Sequence, residues 1–163
     1  MLTNNYASLL SLSIGTKSDN LPVCKDINGG TVSPDMTWLA TILQYPLTII
    51  TGNNKVQRGH WMVFGEGSTP VKSSDISIES PITEGFDVIS QTSNIPYIYS
   101  STVMTVTRIV QNTGSAPITI SEVGLYGANG QTTAIMLARE VLAEPITLQP
   151  GEKHSFTMDL CVE

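Results

Sequence analysis

Residues 102–126, TVMTVTRIVQNTGSAPITISEVGLY, decide the fold class of this chain. The first ten alternate between two faces that both carry apolar groups, which predicts a strand at the centre of a sheet. Asn112–Ser115 consists of turn-forming residues, and 117–126 is again rich in β-branched side chains. We therefore predict that 102–111 and 117–126 are antiparallel partners. Glu122-Val123-Gly124 interrupts the alternation, which indicates a β-bulge.

The segment that follows contains a hairpin signal. Asn129-Gly130 favours a type I′ turn, because both of its central positions need positive φ, and this predicts a hairpin between 118–126 and 133–142. Residues 133–142 are good helix formers, so propensity alone would allow a helix there. Their length and the turn signals at both ends favour a strand.

The C-terminus carries the most regular pattern in the chain. Pro145–Leu148 predicts a short strand and Pro150-Gly151 a turn. In 153–162, KHSFTMDLCV, the apolar side chains at every second position alternate with mostly polar ones. We expect one face of this strand to be buried and the other to face solvent.

The N-terminal half is less regular. Apolar, β-branched segments predict strands at 60–65, 75–79 and 86–91, with a Gly-rich loop after the first. Ser33, Pro34 and Asp35 favour a short helix at about 34–44, but this stretch also fits a strand, a turn and a second strand. Residues 1–16 are predicted to be an N-terminal arm or an edge strand.

Short strands separated by Gly, Pro and Asn turns are typical of an all-β protein. We predict an immunoglobulin-like or jelly-roll-like antiparallel β-sandwich. Residues 17–163 would form this single domain, since 163 residues are enough for one core.

Composition excludes several classes of function. With 40% hydrophobic and 13% charged residues the chain is too apolar to be disordered. Lys and Arg number 8 against 14 Asp and Glu, and no basic cluster is present, so neither nucleic acid nor an anionic membrane surface is expected as a partner. The longest apolar stretch, 38–50, is too short to span a bilayer. The N-terminus lacks the basic and apolar regions of a signal peptide.

No catalytic, cofactor-binding or metal-binding residues are predicted. Cys24 and Cys161 are too few for a disulfide framework or a zinc site and are expected to act as small hydrophobes. His60 and His154 have no second ligand at metal spacing. The acidic residues that could converge are expected to lie on solvated faces; they are Glu79, Glu84, Asp87, Glu122, Glu140 and Glu144.

Binding through a contact surface is the class of function that these residues leave open, and aromatic and large apolar side chains are the candidates for it. Tyr97 and Tyr99 fall on one face of an extended segment and could stack on a sugar or a partner. The alternative is that they pack on a core or line an oligomer contact. Trp61 belongs to the same aromatic set, but its apolar strand favours the core. The arm and the 38–50 stretch supply the other candidates, Leu9, Leu10, Leu12 and Trp38.

Three blocks of the chain, 61–82, 105–127 and 135–160, occur in an order that resembles small accessory structural proteins of tailed-bacteriophage virions. The shared elements include a strand ending in a Gly-rich Thr-Pro turn, an Asn-Thr-Gly turn, a Leu-Ala-Arg-Glu-Val-Leu segment and a Pro-Gly turn before a closing alternating strand. This resemblance implies a non-enzymatic capsid, neck or tail component, assembled in the bacterial cytoplasm.

The expected partners follow from that role. They are other virion proteins and further copies of this chain, bound through edge strands and the N-terminal arm. The alternative is a host-receptor module that binds surface glycans.

Overall fold

A computed structural model describes residues 2–4, 23–33, 48–49, 57–94, 103–129 and 134–161, and within them the chain is all-β, as predicted. The strands are β1 (Cys24–Lys25), β2 (Thr31–Val32), β3 (Thr48–Ile49), β4 (Gln57–Gly65), β5 (Phe86–Asn94), β6 (Val103–Asn112), β7 (Ile118–Asn129), β8 (Ala134–Leu148) and β9 (Lys153–Cys161). The segment 34–44, for which a helix was one of two predictions, lies outside the described residues.

Two antiparallel sheets enclose the main core. One has the order β3-β4-β7-β8 and the other β5-β6-β9, while β1 and β2 form a separate hairpin. Phe64 of the first sheet lies 4.9 Å from Phe156 and 5.9 Å from Phe86 of the second, measured between ring centroids. This packing of two sheet faces is consistent with the predicted sandwich.

Several strand predictions are confirmed. The segment predicted as central, β6, is hydrogen-bonded to β5 on one side and to β9 on the other. Phe156 and Met158 of β9 are buried and the intervening side chains are exposed, as the period-two pattern requires. The segment with high helix propensity is the strand β8, and it pairs antiparallel with β7.

The predicted pairing of 102–111 with 117–126 is wrong, because β6 and β7 belong to different sheets. The connection between them passes from one sheet to the other. The fully buried Asn112 stabilises this connection through its side chain. Its Nδ2 donates to the carbonyl oxygens of Ala116 and Leu148 at 2.8 Å each, and its Oδ1 accepts from the Gly114 amide at 2.9 Å. Its backbone oxygen accepts from Gly151 N at 2.8 Å. The same residue therefore joins the crossings β6–β7 and β8–β9.

Two boundaries also differ from the prediction. Residues 75–79 form no strand but part of a long loop, 66–83, since their backbone groups bond to side chains and turns instead of a neighbouring strand. Residues 145–148 are not a separate strand but the end of β8.

The predicted bulge lies on the partner strand. Residues 122–124 of β7 pair regularly with 139–141, and the register shifts on either side of them. Because Ile120 pairs with Ile146 and Glu122 with Val141, the extra residues belong to β8. Pro145, which has no N–H for the ladder, sits in that irregular stretch.

Candidate functional site

The face of the four-stranded sheet that points away from the main core carries a second apolar cluster. Alternation along β4 sends Met62 and Phe64 to the core and Trp61 and Val63 to this outer face. Tyr126 of β7 and Ala134 and Met136 of β8 lie beside them, and Ile78 from the loop 66–83 completes the cluster; together they form what we call the outer cluster.

A groove of about 410 Å³ opens over the outer cluster. Its floor contains the stacked rings of Trp61 and Tyr126, whose centroids are 5.9 Å apart at an interplanar angle of 23°. Trp61 is half-buried, so part of its indole remains accessible. The lining residues are Ile27, Trp61, Val63, Ser77, Ile78, Pro81, Tyr126 and Ala134. An apolar floor with exposed aromatic surface suits an aliphatic or aromatic side chain or the apolar face of a sugar ring.

One wall of the groove is fixed by Tyr126. Its hydroxyl accepts a hydrogen bond of 2.7 Å from the Ile78 backbone amide, which supplies a partner for a loop amide with no strand neighbour. Burial raises the pKa of Tyr126 to about 12. Gly124 allows the close approach, because a Cβ there would lie 2.6 Å from Cγ2 of Ile78 and 2.7 Å from the Tyr126 ring.

Next to the groove, an ion cluster surrounds the buried Arg139 of β8. Nε and Nη2 of its guanidinium lie 2.8 Å from Oε2 of Glu122, and Nη1 lies 2.9 Å from Oδ2 of Asp75. Glu79 approaches Nη2 at 3.7 Å. The arginine side chain is 3% exposed and that of Glu122 is 0% exposed. Burial acts to lower the pKa of Arg139, but hydrogen bonds and charge from Asp75 and Glu122 outweigh it and the pKa is raised.

The carboxylates of this cluster also bind the backbone of the loop 66–83. Oε1 of Glu122 accepts from Gly67 N at 3.1 Å and from Ser80 N at 2.9 Å. Oε2 of Glu79 accepts from Ser68 N at 3.1 Å and from Thr69 N at 3.0 Å. Hydrogen bonds from Thr69 lower the pKa of Glu79. The cluster therefore anchors the loop to the sheet.

Glycines make room for this anchor. A Cβ on Gly67 would collide with Oε1 of Glu122, and one on Gly65 would lie 2.7 Å from the same oxygen. The two glycines that begin the Gly-rich loop in the sequence are thus required by the close approach of a buried carboxylate. They do not cradle a phosphate, because the acidic side chain already occupies that space.

The expectation that the acidic residues lie on solvated faces is wrong for Glu122, which is buried because it pairs with Arg139 on the neighbouring strand. It holds for the other five, which are exposed; they are Glu79, Glu84, Asp87, Glu140 and Glu144. Asp75, which the sequence did not single out, completes the cluster. The sequence feature that could have indicated this cluster is Arg139, because an arginine within an apolar strand segment needs an acidic partner.

Of the predicted contact residues, Trp61 lies in the groove, and it also packs against the outer cluster. The others lie outside the described residues; they are Tyr97, Tyr99, Leu9, Leu10, Leu12 and Trp38. From the N-terminal arm only residues 2–4 are described. Leu2 bridges to Ala138, and Thr3 N donates to Leu137 O at 3.0 Å, so these residues line the outer edge of β8.

The thiol of Cys24 is buried in the main core, in agreement with its predicted apolar role, and burial raises its pKa to about 11. His60 is also buried. Among the described residues, no three His, Cys, Asp or Glu side chains are grouped so that they could hold a metal ion. No helix within the same ranges has the length and apolar character needed to cross a membrane.

No family model matches the chain, and no curated protein or solved structure matches it significantly.

Proposed function

We propose that this protein is a structural component of a tailed-bacteriophage virion and that it acts through protein–protein contacts. The observation that carries the proposal is an apolar groove whose adjoining loop is anchored to the sheet. The groove exposes part of Trp61 on a sheet face, and the ion cluster fixes the adjoining loop. A surface whose shape is fixed before binding loses little conformational entropy when a partner docks.

The acidic side chains near the groove support a contact role. Glu122 uses both oxygens on Arg139 and on two backbone amides, and Glu79 uses Oε2 on two others. Carboxylates whose oxygens are engaged in this way are held in position, which suits anchoring the loop better than proton transfer. The order of the three sequence blocks supplies the virion assignment, and the partners would be other virion proteins.

Particle incorporation tests this proposal. Phage particles assembled with wild-type protein should contain it, and particles assembled with the Trp61→Ala variant should contain at least several-fold less. Trp61→Phe keeps a ring on Tyr126 and should restore most of the incorporation. A chain without residues 1–16 tests the arm in the same way. Equal incorporation of all variants would contradict a contact role for both surfaces.

A second candidate function is binding of host-surface glycans, and the accessible indole of Trp61 favours it. Sugars stack their apolar face on such rings. On a glycan array, specific binding that is lost in Trp61→Ala and kept in Trp61→Phe, with both variants folded by circular dichroism, would support recognition over scaffolding.

A further inference from the structure

The strand β9 is an edge of the three-stranded sheet: within the described ranges it pairs with β6 alone. Its register with β6 runs from Lys153 to Cys161 without a shift. Edge strands with regular, unbulged backbones offer a free row of amide and carbonyl groups to another strand. The opposite edge, β5, differs, because its register shifts between Val88 and Ser90.

The solvent face of β9 carries two opposite charges at symmetric positions. Lys153, Ser155, Thr157 and Asp159 are all exposed on this face. Thr157 Oγ1 lies 3.1 Å from Oγ1 of Thr107, and Thr105 Oγ1 donates to Oδ1 of Asp159 at 2.6 Å, so the neighbouring strand holds two of these side chains in place. Phe156 lies midway between Lys153 and Asp159.

We propose that β9 is a homodimer interface, in which it pairs antiparallel with β9 of a second copy about a two-fold axis at Phe156. The axis places Lys153 of each copy opposite Asp159 of the other, and Ser155 opposite Thr157. Each contact occurs twice, as an isologous interface requires. The two three-stranded sheets become one continuous six-stranded sheet.

The charges select this register. A shift of either copy by two residues, the smallest that keeps side chains on the same face, moves Lys153 away from Asp159. A lysine alone on an edge discourages pairing, whereas a lysine and an aspartate placed symmetrically about one residue favour one partner in one alignment.

Other edges in the described part of the chain fit a second copy less well. β5 contains Asp87 but no Lys or Arg, so two-fold pairing would offer no opposite charge. On the outer edge of β8, Thr3 of the same chain already bonds to Met136 and Leu137. The proposal specifies one partner for the contact role inferred above. It can hold or fail independently of that role, because it is measured on the purified protein.

Charge reversal tests the proposal by light scattering coupled to size exclusion. The wild-type protein should have twice the 17.5 kDa mass of the chain. Asp159→Lys places like charges opposite each other twice and should weaken dimerisation by about tenfold or more. The double variant Lys153→Asp, Asp159→Lys restores the opposite pairs and should recover the dimer. Asp87→Lys makes the same change of net charge on the other edge and should remain dimeric.

Disulfide trapping tests the register itself in a Cys161→Ser background. Opposite residues in an antiparallel pair have Cβ atoms about 5 Å apart, and diagonal ones are too distant for a disulfide. Oxidation of mixed Ser155→Cys and Thr157→Cys proteins should give crosslinked heterodimers, and either protein alone should give far fewer. A monomeric wild type, a dimeric Asp159→Lys variant, a monomeric double variant or equal crosslinking of the single proteins would each overturn the proposal.

Discussion

Replacement of Glu122 by glutamine perturbs the anchor of the loop 66–83 while keeping the shape of the side chain. The carboxylate accepts four interactions, two from Arg139 and two from the amides of Gly67 and Ser80. A glutamine has only one oxygen, and its NH₂ group must face either the guanidinium or the two amides. In either orientation the NH₂ group of the glutamine faces other N–H donors, either those of Arg139 or the amides of Gly67 and Ser80. Residue 122 is fully buried, so water cannot supply the missing acceptor.

The magnitude follows from burial. Removing one member of a buried ion pair costs about 3–5 kcal/mol because the other charge stays buried without its partner. Arg139 would keep Asp75 at 2.9 Å. We therefore expect the lower end of this range, about 3 kcal/mol in the free energy of unfolding, or roughly a hundredfold in the folding equilibrium constant.

Urea unfolding followed by tryptophan fluorescence measures this loss. The matched control is Glu140→Gln on β8, which removes an exposed glutamate opposite Val123 and should change the free energy of unfolding by less than about 0.5 kcal/mol. Limited proteolysis should also cut Glu122→Gln within 66–83 more rapidly than the control. If the two variants were equally stable, Glu122 would not anchor the loop.

Three further predictions concern other parts of the fold. Asn112→Ala removes three side-chain hydrogen bonds at the crossings between the sheets and should lower the free energy of unfolding by about 2–4 kcal/mol in urea titrations, whereas exposed Thr113→Ala should not. Gly67→Ala brings a Cβ against Glu122 and should cost about 1–3 kcal/mol by thermal unfolding, a loss that is absent if the loop sits away from the sheet. The free energy of unfolding should fall as pH rises above about 9, because burial raises the pKa of Cys24 from 9.0 to about 11 and that of Tyr126 from 10.0 to about 12, so the unfolded chain loses these protons first. Urea midpoints between pH 8 and 11 measure this fall, and in Cys24→Ala the midpoint should decrease less steeply with pH.

Strand positions could be predicted from the sequence, but part of the pairing could not. The alternation in β6 and β9 identifies these strands, because side chains face opposite sides of a sheet at every second residue. The Asn-Gly signal at the end of β7 indicates that β7 and β8 are joined as a hairpin. The residues 112–115 look the same whether the chain reverses within a sheet or crosses to another. The crossing to the other sheet depends on long-range contacts such as the hydrogen bond from the Asn112 side chain to Leu148, which local sequence does not indicate.

The site was less predictable for a related reason. Trp61 could be named from its type alone, but its place over Tyr126 depends on the register of β4 with β7. The ion cluster joins residues 75, 79, 122 and 139, and nothing in their spacing indicates that they meet. An arginine and a glutamate in adjacent apolar strands were the available signal, since a buried charge needs a partner.

The most direct test of the proposed virion role is mass spectrometry of gradient-purified phage particles from cells that carry this gene in its native setting. We expect the chain in the particle fraction at a fixed ratio to the major capsid protein. A chain found only among free proteins, with intact particles that lack it, would contradict the account.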